Sequence, residues 1–355
     1  MRLDRGILAA LGAAVLFGFS TPIAKTLVGS ISPLLLGGLL YAGSGIGLAV
    51  LLAVRGAVLG GATIVWPRGA DLRWLFGSIV FGGAIGPYLL MYGLQTTDSA
   101  SASLVLNLEG VFTALLAWFA FKENFDRRIA AGMALIVAGG VILSTGSARR
   151  AGGISGPLAI AGACLAWAID NNLTRKVSTN DAMLIACMKG SIAGPISVAL
   201  ALLFGARLPA FQLLLRAGTL GFVGYGLSLT LFVLALRNLG TARTSAYFSL
   251  APFIGAALAV ALGAPPTGGL MIAGLFMGAG VWLHLGEIHA HLHDHAILEH
   301  EHSHIHDSHH LHPHGFAWDG HEPHSHYHVH QPIEHAHPHY PDVHHRHHHK
   351  RIDNE

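Results

Sequence analysis

The chain has 355 residues, just over half of them apolar, and only 11% carry a charge. A soluble domain has about a quarter of its residues charged, which excludes a soluble enzyme and points to a polytopic membrane protein. The formal net charge of +2 is a cancellation, because residues 1–283 hold 18 Lys and Arg against 8 Asp and Glu, whereas 284–355 hold 3 against 11 together with all 26 histidines.

A helix needs about 20 apolar residues to cross a hydrocarbon layer of roughly 30 Å, and such runs recur up to residue 283. The first follows Arg2 and Arg5 without an A-x-A-like cleavage site, so it reads as a span and not as a removed signal peptide. In chain order, charges, Gly/Pro clusters and polar loops delimit ten helices at 7–28, 33–54, 74–94, 99–121, 129–146, 157–174, 182–204, 218–236, 244–262 and 268–286. Cys164 and Cys187 both fall inside apolar runs and offer neither a disulfide framework nor a thiolate metal site.

Lys and Arg mark cytoplasmic loops. With Lys25 and Lys189 set aside as internal to spans, the N-terminus and the loops after the second, fourth, sixth and eighth spans hold 12 basic residues against 4 in the opposite loops. Both termini are therefore expected in the cytoplasm.

The chain also repeats itself. "DSASASLVLNLEGVFTALLAWF" at 98 aligns with "GTARTSAYFSLAPFIGAALAVA" at 240, and "FGFSTPIAKTLV" at 17 with "WAIDNNLTRKVS" at 167. The second of these alignments sets Lys25 opposite Arg175 and Ser20 opposite Asp170, and further along the repeats Tyr41 aligns with Lys189. Two five-helix units follow, 6–146 and 154–286, with a histidine-rich cytoplasmic tail at 287–355. Five spans per unit force the second to insert upside down, and inverted repeats are a transporter signature. The expected fold is an all-α integral membrane protein of ten transmembrane helices in two inverted repeats. Its tail is expected to be helical to about 312 and then, past Pro313, disordered coil.

The span count, the repeat and the stretches "LNLEGVFTALLAWFAFKEN" and "TSAYFSLAPFIGAALAV" resemble EamA-type members of the drug/metabolite transporter superfamily. The resemblance covers residues 6–286, and is nearest to bacterial members whose last span ends in "WLHL" and runs into a histidine-rich tail. It implies a ten-helix carrier of small solutes. The chain departs from the family in having Pro265 where the first repeat has Glu123.

An ionisable group at bilayer depth costs roughly 2.5 to 3.5 kcal/mol on insertion scales, so it is paired or faces a cavity. Glu109 sits at the middle of the fourth span, two residues from Asn107, and is the first candidate for a substrate or proton site. Lys25, Lys189, Asp170, Asn171 and the aligned Tyr41 complete the substrate or coupling candidates. Either these charges pair to hold helices together, or they present both signs in a central cavity suited to a zwitterionic or amphipathic solute.

Neutral imidazole binds Zn, Ni and Co. On a helix, His289/His293, His291/His295, His300/His304 and His302/His306 would share a face, and His309, His310 and His312 follow. In an extended chain, H-x-H steps do the same job. No cofactor is required; the tail offers ligands for a divalent transition metal, Zn, Ni or Co.

Three functions compete. The first is a secondary transporter, an exporter of a small organic metabolite across the cytoplasmic membrane, whose tail senses or buffers metal. The second is a divalent-metal transporter fed by the tail, and the third a membrane-anchored metal store. Expected partners are the lipid bilayer, a small solute, metal ions and a second copy in a homodimer, with no nucleic acid and no enzymatic activity. A cysteine introduced at position 151 should be labelled from outside intact cells; labelling only from inside would overturn this topology.

Overall fold

A computed structural model describes residues 5–58, 66–67, 69–121, 127–151, 154–178 and 180–285, and in the tail 290–294, 298–304, 324–330 and 334–338. Residues Met1–Gly286 and Glu287–Glu355 are separate compact units.

The first unit is helical. Its first two spans are Arg5–Leu27 and Pro33–Val58. The third runs from Ala70–Ser78 through a π-helical turn, Ile79–Ile85, into Gly86–Thr96; the fourth is Ser99–Val105 and Leu108–Phe121, and the fifth Arg127–Ala151. The second half repeats this order with Ser155–Val177, Ala182–Leu203, then Phe211–Leu220 with a π-helical turn Gly221–Leu227, Ser228–Phe248, Ala251–Ala261 and Gly268–Leu285. Both irregularities recur in each half. The π turns interrupt the third and eighth spans, and two-residue breaks at 106–107 and 249–250 interrupt the fourth and ninth.

The expected spans 99–121 and 244–262 are thus each broken helices, and the expected loop between the eighth and ninth spans lies within the helix Ser228–Phe248. Among the described residues, seven helical segments are long and apolar enough to cross a membrane, and Ala130–Leu143 and Gly268–Leu283 are shorter apolar helices. Ser155–Val177 has 23 residues, about 34 Å at 1.5 Å per residue. It falls outside the apolar set because Asp170, Asn171, Asn172, Arg175 and Lys176 crowd its second half.

Packing follows a pseudo-twofold pattern. The second span lies on the seventh, the fourth on the ninth and the fifth on the tenth, while the first contacts the eighth and ninth as the sixth contacts the third and fourth. Lipid supplies no hydrophobic drive between helices, so close approach rests on small residues. Where the second and seventh spans cross, a Cβ on Gly190 would meet the Tyr41 carbonyl at 2.7 Å, and one on Gly45 would meet the Gly190 carbonyl carbon at the same distance.

In the tail, where a helix to 312 and then coil were expected, the described segments are strands. Ala290–Asp294 pairs antiparallel with Glu334–Pro338, and Leu298–His304 with His324–His330. The reason is visible in "LEHEHSH" and "HSHYHVH", where histidine recurs every second residue, the period of a strand and not of a helix. His291, His293, His300, His302 and His304 lie in these strands, so the i, i+4 geometry does not apply to them. His289, His295, His306, His309, His310 and His312 lie outside the described residues.

Gly190→Val should lower the stability of the detergent-solubilised protein by about 1–3 kcal/mol, the usual cost of overpacking. Gly269→Ala, with nothing within 4 Å of the added carbon, should leave it unchanged. Equal melting temperatures for the two variants would contradict this account of the crossing.

Candidate functional site

The site is built around the π turn of the third span. In such a turn the N–H of residue i+5 bonds the carbonyl of residue i, as Gly86 N–H does to Phe81 O. The donor due to Gly82 would come from residue 87, which is a proline without an N–H. The Gly82 carbonyl instead accepts from Tyr41 Oη at 2.5 Å and from Trp167 Nε1 at 3.2 Å. One absent backbone donor positions two aromatic side chains from different spans.

Gly82 also admits Asp170, whose carboxylate occupies the space a Cβ at 82 would need. Asp170 is 4% exposed and Lys189 fully buried. Lys189 Nζ donates to both Asp170 oxygens at 2.7 Å and to Thr174 Oγ1 at 3.3 Å. Ser78 Oγ and Thr174 Oγ1 donate to Asp170 Oδ1 at 2.6 and 2.8 Å. Buried charges persist only when paired and hydrogen-bonded in this way.

Glu109 enters from the fourth span, just past the break at 106–107. There the Asn107 side chain donates to Leu104 O at 3.2 Å, competing locally with the helical ladder. Glu109 Oε1 accepts from Asn171 Nδ2 at 2.7 Å.

These groups and a set of aromatic rings enclose a cavity of about 450 Å³ counting its open mouth, lined by Tyr41, Glu109, Trp167, Asp170 and Asn171 together with Phe17, Tyr225, Phe232 and Phe248. Phe17 meets Trp167 edge-on at 5.6 Å, Tyr225 at 5.7 Å and Phe248 at 5.4 Å between ring centroids. Phe17 and Trp167 are equivalent in the repeat alignment, so the cavity sits where the two halves meet. The Gly82–Asp170 approach recurs there too, since a Cβ on Gly224 would come within 2.6 Å of Ser20 Cβ.

Of the candidates read from the sequence, Glu109, Asp170, Asn171 and Tyr41 share this cavity. Lys189 is held by Asp170 and does not line it. Asn107 lines an adjoining cavity of about 330 Å³ that also includes Glu109. Lys25 lies apart from both, donating to the carbonyls of Leu94 and, at 2.9 Å, Thr97. It serves the C-terminal carbonyls of the third span, a role basic side chains commonly take.

Sequence reasoning missed Phe17, Trp167, Tyr225, Phe248, Ser78 and Thr174. Two signals were present: "GGAIGP" at 82 removes a helical donor after two glycines, and the repeat alignment sets Phe17 opposite Trp167.

Asp170→Asn or Lys189→Met alone should destabilise the protein by about 3–5 kcal/mol, because each leaves an uncompensated buried charge. The double variant should recover part of that loss in thermal unfolding. Single variants as stable as the parent would show that the pair is not held as described.

Comparison with known proteins agrees with this architecture. The chain is similar to an uncharacterized transporter of Methanothermobacter thermautotrophicus, with 28% identity over 298 residues, covering 80% of this chain and 87% of the relative. It is also similar to the uncharacterized transporter YyaM of Bacillus subtilis, with 23% identity over 271 residues, covering 72% and 85%. A solved crystal structure with 21% identity shares the fold, with a TM-score of 0.61 over 79% of this chain and 96% of the other. The EamA-like transporter family matches residues 4–145 and 154–286; with both halves matched, the chain belongs to that family and is a multi-pass membrane transporter.

Proposed function

We propose that this transporter exports a small amphipathic organic metabolite across the cytoplasmic membrane, with both termini inside and Glu109 as the group that couples binding to transport. The carrying observation is the composition of the cavity. Its lining is mostly aromatic rings, and it includes a carboxylate held by a single neutral amide bond. Pockets that are mainly apolar with a few placed polar groups suit organic solutes, and an aromatic face also favours a cationic group. Lys189 is neutralised by Asp170, so the attraction the cavity offers is chiefly to cations and hydrogen-bond donors.

The tail, in this reading, binds divalent transition metal and senses or buffers it. Its support is histidine density together with strand register, which sets His300 opposite His328 and His302 opposite His326. A metal path through the membrane has less behind it: among the described residues no three His, Cys, Asp or Glu form a group fit for a metal ion.

Everted membrane vesicles should accumulate the exported solute from a metabolite panel. Glu109→Gln should abolish that flux, while deletion of 287–355 should change metal tolerance and leave the flux in place. Undiminished flux in Glu109→Gln, or uptake by intact cells in place of accumulation in everted vesicles, would overturn the corresponding part of the proposal.

A further inference from the structure

Beside the aromatic cavity lies the second one, where the breaks of the fourth and ninth spans face each other. Its walls include Asn107, Glu109 and Thr113 from the fourth span, and Ser245 and Ser249 from the ninth. Asn107 is 2% exposed and Thr113 3%. Three side-chain oxygens there, Asn107 Oδ1, Thr113 Oγ1 and Ser245 Oγ, have no hydrogen-bond partner among the described residues. Nor is the Asn107 amide at liberty to turn its donor inward, because Nδ2 is engaged by Leu104 O at 3.2 Å.

A buried oxygen without a partner costs free energy, and a native structure keeps one only where something else satisfies it. One such atom would call for a water molecule. Three around a single cavity, joined by a carboxylate, make a set of hard oxygen ligands, the type that hard cations take. The charge of the set selects among cations. Calcium takes six to eight oxygens and magnesium an octahedral shell in which it keeps several waters, whereas one carboxylate with several neutral oxygens in a small cavity balances one positive charge. Position points the same way, since discontinuous helices are where secondary transporters hold their coupling ions.

We propose that this cavity is a sodium site, with Asn107, Thr113, Ser245 and Glu109 as its ligands. The inference rests on the transporter reading, and deepens it by naming the coupling ion. Glu109 lines both cavities, so the ion and the solute meet at one carboxylate and each alters the affinity for the other.

The test needs no solute. Full-length protein in detergent is melted in NaCl, KCl and N-methylglucamine chloride at equal ionic strength, and sodium is then titrated at constant total salt. Sodium alone should raise the melting temperature. Thr113→Val and Asn107→Leu should each weaken its apparent affinity at least tenfold, and Thr113→Ser, which keeps the hydroxyl, should restore it. Thr113 lies outside the aromatic cavity, so its variants report on the ion and not on the solute. Identical melting in the three salts, or an unchanged sodium response in both Thr113→Val and Asn107→Leu, would show a cavity that holds water only. That result would leave the Glu109→Gln flux experiment standing, so the two readings fail separately.

Discussion

Inside a bilayer no solvent hydrogen-bonds a backbone carbonyl or hydrates a charge, so each polar group must find its partner within the protein. The arrangement of this transporter is largely the set of solutions to that constraint. The Gly82 carbonyl, deprived of a donor by Pro87, takes two aromatic side chains in its place. Carbonyls at the end of the third span take Lys25, and Asp170 takes Lys189, Ser78 and Thr174. Three polar atoms without a partner among the described residues, on Asn107, Thr113 and Ser245, gather at one cavity, where a ligand can reach them.

The pseudo-twofold fold carries chemistry that is not symmetric. Glu109 corresponds to Ala251 in the other half, Asp170 to Ser20, and Lys189 to Tyr41. The carboxylates and their partners therefore come from the third, fourth, sixth and seventh spans without charged counterparts at the equivalent positions, and the rings of Phe17, Tyr225, Phe232 and Phe248 complete the lining. That unequal substitution of two matching frames is what makes the cavity amphipathic.

How much of this was legible in the sequence depended on whether the feature was periodic. The ten spans and the two halves both come from apolar run lengths and self-alignment, which the bilayer enforces strictly. The π turns and helix breaks were not legible, because a window of apolar residues looks the same whether its ladder is regular or shifted by one bond. Lys25 and Lys189 show a second limit: both are lone cations inside spans, yet one serves carbonyls and the other a carboxylate, a difference fixed by which helix lies alongside. In the tail, the alternation in "EHEHSH" carries the period of a strand, while a stretch without proline before residue 313 is equally compatible with helix.

The placement of strong and weak bonds between the halves bears on how such a carrier could move. The Asp170–Lys189 pair lies within the second half, as the Lys25 contacts lie within the first. Across the boundary the site uses Ser78 to Asp170, Asn171 to Glu109 and Trp167 to Gly82, each a single bond from a neutral donor. The described ion pair that crosses, Arg55 with Asp181, has side chains 32% and 23% exposed, and exposed pairs contribute about 0–1 kcal/mol. A buried pair is no aid to stability compared with apolar packing, so its retention within one half calls for another reason. It locks the sixth span to the seventh, and leaves the site's contacts with the first half to single hydrogen bonds from uncharged donors, which can be exchanged one at a time. Alternating access around a fixed site requires such exchange.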